Sequence, residues 1–203
     1  AVSTGTVTLD TVTANAAIDL GTAVGTLNLD ATSVTNLTAG TASQTVKVGA
    51  DSNTGAVTIN SAINNANVDL DINSGNLTIG SAVTANSIDA DATGTADVNA
   101  AVVTTGDANI NATGNFAVSA LGSITSTSGD IIVNSDGTVT TDGALSAGND
   151  LTITADGAVD TNQTLTAGND TSISTTTGAV TIDAALTSTG DVTLSTSDNS
   201  VTT

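Results

Sequence analysis

The sequence predicts an all-β chain wound into a single-stranded parallel β-helix. Three observations predict it: a row that recurs with a fixed period, alternation within each row, and an apolar set confined to small and branched side chains. The row is clearest from Gly129 to Asp191. Its opening glycines are Gly129, Gly148, Gly168 and Gly190. A period of about twenty residues, with a residue or two of slack, marks a solenoid. Within a row, aliphatic residues alternate with Thr, Ser, Asn or Asp, as in Leu151-Thr152-Ile153-Thr154. Such alternation sends one side chain inward and the next outward along a strand. Gly, Asn and Asp separate the runs and supply turn conformations. Three short strands and three corners make one coil, and a coil is stable only when stacked on another.

The rows can be followed in chain order. Gly5-Thr6-Val7-Thr8-Leu9 and Gly25-Thr26-Leu27-Asn28-Leu29 stand one period apart, as do Gly55-Ala56-Val57-Thr58-Ile59 and Gly75-Asn76-Leu77-Thr78-Ile79. Ala17-Ile18-Asp19-Leu20 and Asn67-Val68-Asp69-Leu70-Asp71-Ile72 read as further strands with Asp outward. Thr45-Val46-Lys47-Val48 places both valines inward and Lys47 in solvent. Gly106-Asp107-Ala108-Asn109-Ile110 and Gly114-Asn115-Phe116-Ala117-Val118 are less than half a period apart, which fits consecutive strands of one coil. The rows from Gly129 onward each carry three strands. No linker or composition shift appears, so residues 1–203 form one continuous domain. The 203 residues, taken at about twenty per coil, give about ten coils. At about 4.8 Å per coil the rod is roughly 50 Å long. No end cap is evident, which fits a segment of a longer solenoid or a unit that stacks on copies of itself.

Composition excludes several functions. Pro, Cys, Met, Trp, Tyr, His, Arg and Glu are absent; Phe116 is the single aromatic residue and Lys47 the single base. Without cysteine there is no disulfide framework, thiol chemistry or Cys-zinc site. A formal net charge of −19 repels nucleic acid and acidic lipid. No apolar run approaches the roughly 18 residues of a membrane helix. Nucleophile–His pairs, phosphate loops carrying Lys and His or Cys metal clusters are all absent, so no enzyme is expected.

Five features remain as candidate sites. Asp130, Asp150, Asp170 and Asp191 open successive rows and fall in one column. Charges about 4.8 Å apart repel by roughly 1 kcal/mol in water, and by more at lower dielectric. Either Ca²⁺ held between coils by Asp and turn carbonyls or hydrogen bonds to each Asp from the amides of its own turn would relieve this, the second without any cofactor. The pairs Asp69/Asp71 and Asp89/Asp91 stand at i, i+2 on one strand face; they form either a carboxylate dyad or a solvated surface. Thr-x-Thr pairs (Thr6/Thr8, Thr11/Thr13, Thr138/Thr140, Thr152/Thr154, Thr164/Thr166) do not recur at one position per coil, as a flat ice-binding array would require. Five Asn-x-Ser/Thr triplets, at Asn36, Asn76, Asn111, Asn162 and Asn169, are expected by chance in so Asn- and Thr-rich a chain. Phe116 reads as core filler where the interior widens.

The phrases Ala147-Gly148-Asn149-Asp150-Leu151-Thr152-Ile153-Thr154-Ala155 and Ala167-Gly168-Asn169-Asp170 resemble the repeats of filamentous-haemagglutinin-like exoproteins. That group includes large bacterial adhesins of the two-partner and autotransporter secretion routes. The resemblance covers the last four rows well and the remainder loosely. It implies a right-handed parallel β-helix, export across the outer membrane and a role at the bacterial cell surface. The expectation is therefore an extracellular structural protein. It would form a stiff surface fibre or adhesin shaft whose partners are copies of itself or adjoining coils, end to end. The alternative is an adhesive module that contacts a host or abiotic surface. An ice-binding or polysaccharide-active β-helix is a remote third.

Overall fold

The computed structural model describes residues 7–9, 18–20, 27–28, 44–49, 55–197 and 199–203; for residues 7–9, 18–20, 27–28 and Gln44 the backbone alone is described. The chain is a parallel β-solenoid of three sheets, and the described residues contain no helix. Sheet one stacks Val7–Leu9, Gln44–Val48, Val68–Ser74, Ser87–Ala92, Ala108–Ala112, Ile131–Ser135, Leu151–Ala155, Thr171–Thr175 and Val192–Thr196. Sheet two runs from Leu27–Asn28 and Ile18–Leu20 through Val57–Ile59, Leu77–Ile79, Ala96–Val98, Phe116–Val118, Val139–Thr141, Val159–Thr161 and Val180–Ile182 to Val201–Thr202. Sheet three has seven strands, from Ile63–Asn64 to Leu186–Ser188. Among the described residues the nine strands of sheet one span eight turns, against the ten coils expected from length.

Register explains the difference. Rows 5–9 and 25–29 stand one period apart in sequence, but their described residues lie on different sheets. Val7 pairs with Val46 in sheet one, nearly two periods further along the chain, whereas Leu27 pairs with Ile18 in sheet two. Glycine spacing misled here because Gly-Thr-hydrophobic phrases recur on more than one sheet. Further on the period holds. Leu70, Ile88, Ala108, Ile131, Leu151, Thr171 and Val192 are successive partners, and the step from Ala108 to Ile131 is the longest. The opening glycines are not one column. Gly129, Asn149, Asn169 and Gly190 stack through backbone hydrogen bonds of 3.0, 2.9 and 2.7 Å, so Gly148 and Gly168 stand one residue earlier.

The alternation expected from sequence is the alternation of burial. Leu151, Ile153 and Ala155 are buried while Thr152 and Thr154 are not; Val46 and Val48 are likewise fully buried. Inward residues from all three sheets merge into one aliphatic core along the rod. Phe116 is the largest fully buried side chain. It lies in register between Ala96 and Val139, and the small alanine below makes room for the ring. The core is not wholly apolar. Thr141 and Thr171 point inward, and their hydroxyls find no partner among the described residues.

The coil between Ala108 and Ile131 carries an insertion at one corner. Val118 and Ile124 are separated by two residues more than Val98 and Val102, or Thr141 and Leu145, at the same corner. The extra pair is accommodated by a turn in which the Gly122 amide donates to the Ser119 carbonyl at 2.8 Å. Leu121 projects from this turn, 88% exposed.

Candidate functional site

Sheet one concentrates the polar chemistry on its outer face. Asp130, Asp150, Asp170 and Asp191 immediately precede the aligned strands of their coils, so they form the predicted column. Each main-chain amide donates to the carboxylate below. Asp150 donates to Asp130 Oδ1 at 3.0 Å, Asp170 to Asp150 Oδ1 at 3.0 Å, and Asp191 to Asp170 Oδ1 at 2.8 Å. Asparagine side chains add a second donor. Asn149 Nδ2 reaches Asp130 Oδ1 and Asn169 Nδ2 reaches Asp150 Oδ1, both at 2.7 Å. Meanwhile the carbonyls of Asp150, Asp170 and Asp191 accept amides from Ile131, Leu151 and Thr171.

These donors relieve the repulsion expected between stacked carboxylates. A charged acceptor receiving backbone N–H groups makes a stronger bond than a neutral pair does. The donors come from the next coil, not from each aspartate's own turn as the sequence suggests. The column therefore fastens coil to coil. It supplies one carboxylate per coil, and among the described residues no three acidic side chains converge on a point that suits a metal ion.

The column extends further than the sequence showed. Asp107 Oδ1 accepts the Asp130 amide at 2.9 Å. Lower still, Asp69 Oδ1 accepts Ser87 Oγ and Asn86 Nδ2, each at 2.7 Å. Gly106-Asp107 carries the same signal as Gly129-Asp130, but the long coil between them hides the match. Asp69 has no glycine before it and is found only from register.

Beside the column lies an acidic patch. Asp71 and Asp89 are register partners, and Asn73 aligns with Asp91. Thus Asp69/Asp71 and Asp89/Asp91 come together on one face. Lys47 is not simply in solvent: its Nζ lies 3.5 Å from Asp71 Oδ2. Asn73 Nδ2 donates to Asp71 Oδ1 at 2.8 Å. An amide ladder continues upward, with Asn111 Nδ2 on Asp91 Oδ1 and Asn134 Nδ2 on Asn111 Oδ1, both at 2.8 Å. Loss of surrounding water raises the pKa of Asp89 above the ordinary carboxylate value, and the charges of Asp91 and Asp71 raise it further.

The other candidates disperse. Thr140 lies on sheet two, Thr152 and Thr154 on sheet one, and Thr166 on sheet three, so these pairs share no face. Thr6/Thr8, Thr11/Thr13 and Asn36 lie outside the residues whose side chains are described. Asn111, Asn162 and Asn169 all donate to aspartates of the coil below.

No protein-family model matches the chain, and no curated protein or solved structure matches it significantly. No helix among the described residues is long and apolar enough to cross a membrane.

Proposed function

We propose that the chain is a shaft segment of an extracellular structural fibre. It is a stiff, non-catalytic β-solenoid at a bacterial cell surface, extended by further coils stacked end to end. The observation that carries this reading is the aspartate column. A polar surface built for ligands leaves acceptors open, whereas Asp130, Asp150 and Asp170 each accept the amide of the next coil. Along this column Oδ1 of each carboxylate serves to hold coil to coil. The continuous aliphatic core and the in-register ladders of three sheets support the same reading, because they resist bending and shear along their whole length. The likeness of rows 147–155 and 167–170 to filamentous-haemagglutinin-like repeats supports the surface location. A single lysine and no arginine leave trypsin few places to cut, which suits exposure outside a cell.

Electron microscopy of the native material tests this. Threads with an axial repeat of about 4.8 Å and units joined end to end are expected. Compact particles, with both coil ends covered by non-repetitive domains, would overturn the reading.

A further inference from the structure

The chain contains three Asp-Gly steps, Asp136-Gly137, Asp142-Gly143 and Asp156-Gly157, and no Asn-Gly step. The fold treats them differently. Two lie at the corner after sheet one, where the glycine amide belongs to the ladder. Gly157 donates to the Gly137 carbonyl at 2.8 Å; Gly137 donates to the Gly114 carbonyl at 3.3 Å and to Ser135 Oγ at 3.1 Å. The third lies at the corner after sheet two. There the first corner residue is tied down in coil after coil: Gly80, Asn99, Ser119, Asp142, Asn162 and Asp183 donate to the coil below at distances between 2.7 Å and 2.9 Å. The second corner amide, which is Gly143 in this coil, has no hydrogen-bond partner among the described residues. Asp142 itself is exposed.

We propose that Asp142-Gly143 is a site of spontaneous backbone modification, where the chain converts to isoaspartate through a succinimide. The Gly143 nitrogen attacks Cγ of Asp142. An N–Cγ bond forms and one Cγ–O bond breaks. The departing oxygen leaves as water, carrying the amide proton and one proton from solvent. Water then adds to the ring. Opening at the former main-chain carbonyl leaves the side-chain carbonyl in the backbone, with no net change in mass. At Gly137 and Gly157 the attacking nitrogen must first give up its bond to the neighbouring coil; at Gly143 it has none to give up. One ordinary net hydrogen bond corresponds to a rate ratio on the order of fivefold.

The product has a structural consequence. Isoaspartate adds a methylene to the main chain at a corner where the Asp142 amide donates to Val118 O at 2.7 Å and Asp142 Oδ1 accepts Asn162 Nδ2 at 2.8 Å. A longer corner strains both bonds. The site would then record the age of the protein, and this does not depend on what the rod is for.

The test is prolonged incubation of the folded chain at neutral pH, followed by digestion with an endoproteinase that cuts before aspartate but not isoaspartate. Mass spectrometry then counts uncut peptide at each step. Loss of cutting at Asp142 on the order of fivefold above Asp136 and Asp156 is expected, with the three converging in denaturant. Asp142→Ser should abolish the isoaspartate signal of that segment and leave the other two unchanged. Equal accumulation at all three in the folded chain would overturn the proposal. So would protection of Asp142 in the folded chain while all three react in denaturant, because the corner would then hold Cγ away from the nitrogen.

Discussion

Individual side chains set how well the core closes. Thr171 is in register with Leu151 and Val192, yet it buries a hydroxyl without a partner among the described residues. Thr171→Val keeps the branched shape and removes the orphan oxygen, so chemical denaturation should show a gain of about 1 kcal/mol. Phe116→Ala should do the reverse. It deletes the largest buried side chain and leaves a cavity above Ala96, a loss of about 3–5 kcal/mol by the same measurement. Asp89 gives a pH-dependent case. Its folded-state pKa is raised, so the folded chain binds that proton more tightly than the unfolded chain does. Ionised Asp89 therefore costs stability above the raised value, and the cost fades as pH falls through it. Asp89→Asn should raise the melting temperature at neutral pH. The gain should vanish below the ordinary aspartate value of 3.8. An equal gain at both pH values would refute the electrostatic account. Inward and outward positions were legible at this scale because strand alternation has a period of two and tolerates no slip. The patch around Asp89 was not, because its members come from different coils.

The strand and its corner decide which coils hold together. Asp150 accepts from the Asp170 amide and from Asn169 Nδ2, whereas the Asp191 carboxylate accepts no donor among the described residues. Asp150→Ala leaves a backbone donor of the next coil unmet, at about 1–3 kcal/mol. Asp191→Ala should cost less, and hydrogen exchange at the Asp170 amide should rise only in the first variant. The existence of the column could be read from the phrases Gly148-Asn149-Asp150 and Gly168-Asn169-Asp170. Its donors could not, since a sequence shows which residues share a row position but not which coil supplies each hydrogen. Corner insertions defeat spacing for a similar reason. Ala120-Leu121 lengthens one corner without disturbing the strands on either side, so the count of residues drifts while the register does not.

Across the whole rod, stability is a sum of coils and of interfaces between neighbours. Deleting residues 151–170 removes one complete turn and brings Ile131 opposite Thr171. Asp130, Asp150 and Asp191 of the column would remain, and Asp170 would go. The shortened chain should still fold, with a lower midpoint in denaturant and a smaller m-value in proportion to the surface lost. A deletion longer or shorter by a single residue should be worse, because every inward side chain of the next strand would turn outward. Fold class was plain from period and composition together. The number of coils was not, since Val7–Leu9 and Leu27–Asn28, which stand in similar phrases, lie on different sheets.

The ladder also has a direction in time. From Gln44 onward each strand of sheet one meets a partner only one turn earlier in the chain. For an all-β protein these are short separations, and short separations favour rapid ordering. Each carboxylate in the column waits for an amide that arrives one turn later. The assembled part is thus always the template for the part that follows, and no pairing waits for the far end. A chain built in this manner can take its shape in the order in which it emerges, course upon course, as a wall is laid.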